Sequence, residues 1–155
     1  MLYGNIPVFT YHIAHPSFST TCVLSAAQTA NIYYMQLAEN TEQYCRTVLY
    51  PQTVESARYI TSNHPPFNRY TLDMNYQITY NSGCITSLYM DTYTYMGGAH
   101  QELERISDTW DFSTGRQLHL DDISALTPAA LNGLQTSVER QIAERLKESP
   151  GSYFE

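Results

Sequence analysis

Residues Tyr70 to Tyr80 alternate without a break. Tyr70, Leu72, Met74, Tyr76, Ile78 and Tyr80 are apolar or aromatic, and Thr71, Asp73, Asn75, Gln77 and Thr79 are polar. A period of two means an extended strand with one buried and one wetted face, because successive side chains point to opposite sides of a sheet. Asn81-Ser82-Gly83 then reverses the chain, with glycine free to take a positive φ. Cys84 to Met96 is rich in Thr, Tyr and Ile and reads as the returning antiparallel strand. Gly97-Gly98 turns again, and Leu103 to Phe112 is a third long strand. Ser113-Thr114-Gly115-Arg116 makes a tight turn before a short fourth strand, Gln117 to Leu120.

Helices flank this meander. Ile6 to His12 reads as a first strand, ended by His15-Pro16-Ser17. Ser25-Ala26-Ala27-Gln28 fits a capping box. Val23, Ala26, Ala30, Tyr33, Leu37, Tyr44 and Val48 recur at helical spacing and form one apolar face. Tyr50-Pro51 is expected to interrupt that helix, because the residue before proline is pushed out of the helical region. A shorter helix, about Gln52 to Thr61, follows, and Asn63-His64-Pro65-Pro66 stops it. Thr127 caps the last helix, with Pro128 at the first helical position. Leu131, Leu134, Val138, Ile142 and Leu146 form its stripe, and Ser149-Pro150-Gly151 ends it. The expected fold is α+β: an antiparallel meander sheet with a long N-terminal helix and a C-terminal helix packed on one face. A length of 155 residues implies a single domain, with the strand and long helix in 1–68 and the sheet and C-terminal helix in 69–155.

Composition bounds the function. Hydrophobic residues make up 43% and charged residues 15%, which is globular and not disordered. The net charge is −7 with only 8 Lys and Arg, so nucleic acid is not the expected partner. The charge permits a basic protein partner, although ordinary solubility is the plainer account. Fourteen tyrosines suit half-buried strands or a binding surface. No apolar run approaches the ~20 residues of a membrane helix. The start, Met1 to Pro7, has no signal-peptide pattern, so an exported protein implies a trimmed segment here.

Cys22, Cys45 and Cys84 form no CxxC pair. A helix between Cys22 and Cys45 holds them roughly 30 Å apart at about 1.5 Å per residue, far beyond disulfide reach. A bridge from one of them to Cys84 stays open, but three free, mostly buried thiols are expected.

Chemistry-bearing motifs are few. No G-x-S-x-G, P-loop or HExxH occurs, so the expectation is no enzyme, no cofactor and no metal. His12 and His15 on a strand fall on opposite faces and do not share a metal. Asp121-Asp122, at a strand-to-helix junction, is expected to make local hydrogen bonds. Gly97 and Gly98 serve loop geometry first. Loops carried on a rigid sheet also bind partners. Tyr93, Tyr95, Gly97, Gly98, Ala99 and His100 are therefore the candidate partner-binding residues.

These same residues carry a resemblance. The strand ending Tyr80-Asn81, Ser87-Leu88, Tyr93, Tyr95 and Gly97-Gly98-Ala99-His100 are followed by Asp111-Phe112, Thr114-Gly115, Leu118, Leu120 and Asp122. This pattern resembles the domain of unknown function 3298. That domain occurs in the extracellular part of lysozyme-sensing anti-sigma factors of the RsiV type and before the catalytic domain of peptidoglycan deacetylases of the PdaC type. The first strand, His15-Pro16 and the long helix are similar to the 4163-type segment that precedes it. The resemblance implies a non-catalytic extracytoplasmic sensor or binding module in a Gram-positive bacterium. Its ligand would be a protein or a cell-wall component, lysozyme among them. The alternative is an accessory domain of a peptidoglycan-modifying enzyme such as a polysaccharide deacetylase. The family continues past Tyr153-Phe154 with further strands. Either the sequence is a cut segment, or those strands are absent and a sheet edge lies open, for which a homodimer through that edge is the expectation.

Overall fold

A computed structural model of the chain describes residues 1–63 and 67–151. It divides into two compact units, Met1–Gln117 and Leu118–Glu155. The expected stop at Asn63-His64-Pro65-Pro66 and the Tyr153-Phe154 pair lie wholly or largely outside the described residues.

The first unit opens with a small hairpin, β1 (Leu2–Tyr3) and β2 (Ile6–Pro7), turned at Gly4 with φ 59°. β3 (Phe9–Ile13) follows, then α1 (Leu24–Tyr44), a π-helical turn at Cys45–Leu49, and α2 (Tyr50–Asn63). The strands β4 (Tyr70–Ser82), β5 (Ile85–Tyr95), β6 (Glu102–Asp111) and β7 (Arg116–Leu118) complete a five-stranded sheet in the order β3-β4-β5-β6-β7. The class is α+β, as expected, and β4 to β6 pair antiparallel. The sheet is nevertheless mixed, because β3 pairs parallel with β4, Phe9 against Tyr70 through Ile13 against Met74. The helices between β3 and β4 act as the crossover that parallel neighbours require.

Four local expectations need correction. The predicted first strand is two elements, because Ile6 and Pro7 belong to the hairpin and the sheet strand starts only at Phe9. The capping box at Ser25 does not form. The cap falls two residues earlier, at Val23, and Ser25 stands inside the first turn. Pro51 does not interrupt the helix either. Proline lacks an N–H, and its ring meets the carbonyl four residues back. The π turn just before it bonds the Tyr50 N–H to the Cys45 carbonyl five residues earlier, and this wider step accommodates the ring. The turn also changes which residues are buried. Tyr44 and Val48 of the expected stripe are exposed, while Cys45, Leu49, Thr53 and Ala57 are buried. A spacing of four drifts by about 40° per step in a regular helix, and a wider turn removes part of that drift.

The fourth correction concerns β4. Its strict alternation holds until a bulge between Ile78 and Tyr80. Tyr80 then pairs with Ser87, where the extra residue moves it to the opposite face from Ile78. Beyond it the predicted hairpin forms, with Gly83 at φ 57° and, unusually for a non-glycine, Cys84 at φ 65°.

One sheet face packs under α1. Leu72, Met74, Leu88, Met90 and Trp110 are buried against Ala26, Ala27, Ala30 and Tyr34. Burying a Leu or Met side chain contributes about 1.5–3 kcal/mol. The alanines let helix and sheet approach, and Gly115 continues the close fit: a Cβ there would lie 3.3 Å from Ala26 Cα. Farther along α1, the Tyr11 hydroxyl donates to Glu42 at 2.8 Å, which ties β3 to the helix.

In the second unit, α3 (Leu120–Ile123) is one short turn. Asp122 Oδ2 accepts from the His119 backbone N–H at 2.9 Å, the local bonding expected of this acidic pair. The last helix, α4 (Pro128–Glu148), starts as predicted, with Thr127 accepting from the Ala130 N–H. Its stripe residues Leu131, Leu134, Val138 and Leu146 are exposed.

Candidate ligand-binding face

The second face of the sheet carries the polar and aromatic half of each alternation. Tyr89, Asp91, Tyr93 and Tyr95 of β5 point there, beside Leu103, Arg105, Ser107 and Thr109 of β6. The tyrosines are half-buried, and Leu103, Arg105 and Ser107 are exposed.

Arg105 and Asp91 stand directly opposite each other on β6 and β5. Arg105 Nε meets Asp91 Oδ1 at 2.6 Å, and Nη2 meets Oδ2 at 2.7 Å. This fork-to-carboxylate geometry is the strongest form of ion pair a side chain makes. The Arg105 guanidinium also lies 3.9 Å from the centroid of the Tyr89 ring, within cation–π range. Tyr93 Oη is 3.5 Å from Asp91 Oδ2. The Arg105 bonds hold the Asp91 carboxyl below the usual carboxylate range. Arg105 is thus fixed on two sides. At one margin of the face, His12 Nδ1 lies 3.7 Å from Asp73 Oδ1, and Asn75 donates to the same oxygen.

The residues singled out from sequence separate into three roles. Tyr93 belongs to the Asp91–Arg105 cluster. Tyr95 and Gly97 pack around Tyr70 instead. The Tyr95 and Tyr70 rings meet edge-on at 6.4 Å. Gly97 has φ 83°, and a Cβ on it would lie 2.5 Å from the Tyr70 ring, so this glycine is required by its neighbour. Gly98, Ala99 and His100 are exposed in the loop between β5 and β6.

The Asp-Phe-x-x-Gly stretch has a structural role as well. Asp111 accepts from the Ser113 backbone N–H at 2.7 Å and from Thr114 Oγ1 at 2.9 Å, which closes the β6–β7 turn. These bonds lower the Asp111 pKa, the Ser113 hydroxyl contributing most. Phe112 is buried, and its N–H donates to the Cys84 carbonyl at 2.7 Å. Its own carbonyl accepts from Val23 at the head of α1. A disulfide joins Cys22 to Cys84 at the same place, and Cys45 is free and buried. The expectation of three free thiols is therefore corrected. The fold brings residues 62 positions apart to a Cα separation of 6.1 Å.

Sequence reasoning missed Asp91, Arg105 and Tyr89. The signal was present in the hairpin. A turn centred on Gly98 sets Asp91 opposite Arg105, an opposite-charge cross-strand pair. Among the described residues, no group of three or more His, Cys, Asp or Glu is placed to hold a metal. No described helix is long and apolar enough to cross a membrane.

A family model described as Deacetylase PdaC matches residues 4–101. No curated protein matches the chain. Among solved structures, a member of the DUF3298 family from Bacteroides fragilis is similar at a TM-score of 0.62 and 16% identity, over 90% of this chain and 63% of that one. A DUF3298 family protein from Pseudomonas aeruginosa gives 0.40 at 17% identity, over 60% of this chain and 41% of that one. The chain thus spans less than two thirds of the length of either structure, and the first likeness shows a shared fold.

Proposed function

This chain belongs to the deacetylase PdaC family, and on that premise we propose that it is a non-catalytic, extracytoplasmic binding module for a protein or cell-envelope ligand. The observation that carries the reading is Arg105. It is clamped by Asp91 and stacked on Tyr89 at the β6 margin of the tyrosine-bearing sheet face. Rigid aromatic side chains and a fixed arginine are the groups that anchor interfaces, since little conformational entropy is lost when they are covered. The Cys22–Cys84 bridge supports an oxidising compartment.

The ligand is tested by retention of the purified chain on peptidoglycan sacculi and on immobilised lysozyme, at low and moderate salt. Retention on either, lost in R105A and Y93A, is the expected result. Absence of retention on both at high micromolar concentration removes this reading. A second reading, an accessory domain of a peptidoglycan-modifying enzyme such as a polysaccharide deacetylase, is favoured by the description of the matching family. Gene context separates the two. A catalytic domain in the same polypeptide supports the accessory role, and an upstream membrane helix with a short cytoplasmic region supports a sensor.

A further inference from the structure

A cleft of about 590 Å³ opens on the helix side of the sheet, between α1 and the Glu102 end of β6. Leu37 forms its helix wall, Met74, Met90 and Ile106 its apolar floor, and Glu102 and Glu104 its rim. The two carboxylates are exposed, and among the described residues neither has an ion-pair or hydrogen-bond partner. They share a face with Ile106 because the three alternate along β6.

Among the described residues, none pairs with the edge of β6 beside this cleft. β7 is the neighbour of β6 on that side, and it has only three residues. It follows the turn at Asp111 and Gly115, so it reaches back only to the neighbourhood of Asp108, where Gln117 bonds the Asp108 carboxylate. Glu102 to Arg105 are exposed. Their outward backbone groups form the template to which an extended segment adds.

We propose that this edge and cleft take a cationic, extended segment of a partner protein, added to the sheet as a strand. Lysine or arginine side chains would stand opposite Glu102 and Glu104, and an apolar one would enter the cleft over Ile106. Charge selects this occupant. The cleft lining holds two acidic and no basic residues, and the net charge of −7 favours encounter with a basic partner. Charge also opposes a second copy of this chain. Antiparallel self-pairing centred on Glu104 sets that residue opposite itself, and sliding by one pair sets Glu102 opposite Glu104. Like charges directly opposite on a sheet are destabilising. The cleft opens on the opposite side of the sheet from the tyrosines, and E102Q/E104Q leaves Arg105 and Tyr93 in place, so its test is distinguishable from retention on sacculi or lysozyme.

The probe is a fluorescent peptide, blocked at both ends, of sequence Lys-Thr-Lys-Thr-Val-Thr-Lys-Thr-Lys, which presents two lysines and then valine on one face in either strand direction. Its counterparts carry glutamate for lysine, or N-methylated backbone at alternate positions. Anisotropy titration is expected to show micromolar binding of the lysine peptide alone. That binding should weaken about tenfold or more in the E102Q/E104Q double variant, and again when salt rises from about 0.05 M to about 0.5 M. The proposal fails if the lysine peptide does not bind at millimolar concentration. Equal binding of the glutamate peptide overturns the charge argument, and equal binding of the N-methylated peptide overturns strand addition. A sedimenting dimer that the lysine peptide does not dissociate assigns the edge to a second copy and overturns the partner.

Discussion

The Tyr34 hydroxyl donates to Asp108 Oδ2 at 2.8 Å, joining α1 to β6 across 74 residues of chain. It also accepts from Trp110 Nε1 at 2.9 Å. All three residues are buried. In Y34F, a carboxylate oxygen and an indole N–H lose their partner. Each unsatisfied buried group costs about 1–3 kcal/mol, so Y34F should lower the urea midpoint with an unchanged m value. A variant as stable as the parent would refute the assignment. The pH dependence follows. Burial, and next the Asp108 bond, raise the Tyr34 pKa far above its ordinary value of about 10. The contribution is whole below pH about 10 and declines above it, as pH climbs toward the folded value. Thermal melts in alkaline buffer should therefore fall less steeply for Y34F than for the parent.

The Cys22–Cys84 bridge closes 62 residues. Loop-closure entropy assigns such a bridge about 4 kcal/mol. The C22S/C84S double variant should lose stability on that scale in denaturant titration. Thiol counting gives an independent check. Cys45 is buried, and burial pushes its pKa up to about 11, so maleimide at neutral pH should label no thiol in the native oxidised protein. Denaturation alone should expose one thiol, and denaturation with reductant three. Two or more reactive thiols without reductant would refute the pairing.

Gly97 and Gly98 are adjacent but not equivalent. Only Gly97 has a positive φ and a ring against its Cα. G97A adopts a left-handed conformation at about 1–2 kcal/mol and must also displace Tyr70, so it should be clearly destabilised. G98A meets nothing closer than 4.0 Å and should stay within about 0.5 kcal/mol of the parent. Equal melting temperatures for the two variants would contradict this geometry.

The Asp91–Arg105 pair sets an acid limb. Its bonds lower the Asp91 pKa in the fold, so the stabilisation is present above the unfolded value of about 4 and is lost as pH falls through the folded one. The melting temperature of R105M should therefore be less sensitive to acid below pH about 4 than that of the parent. Parallel pH profiles would show that the pair does not contribute.

What lay open in the sequence was local. The period-two run from Tyr70, the glycine at Gly83 and the Thr127-Pro128 cap each act through neighbours a few positions away, so the hairpins and the last helix were legible. The direction of β3 was not. Parallel pairing with β4 depends on how the intervening helices carry the chain back, and no residue within β3 encodes that. Tyr80 changes face for a similar reason: nothing in its own alternation marks a bulge that is set by pairing with Ser87. Pro51 was misread because proline breaks a helix by clashing one turn back, and a wide turn there removes the clash.

The binding face shows the same division. Tyr93 and Tyr95 were legible as strand residues leading into the Gly97-Gly98 turn. Register alone, fixed by the loop around Gly98, put Arg105 against Asp91 and left Glu102 and Glu104 beside a cleft. Alternation follows from the two-residue repeat of an extended backbone. Register and long-range contacts such as Tyr34 with Asp108 or Cys22 with Cys84 exist only once distant segments share a core, where the burial of one surface decides which side chains meet.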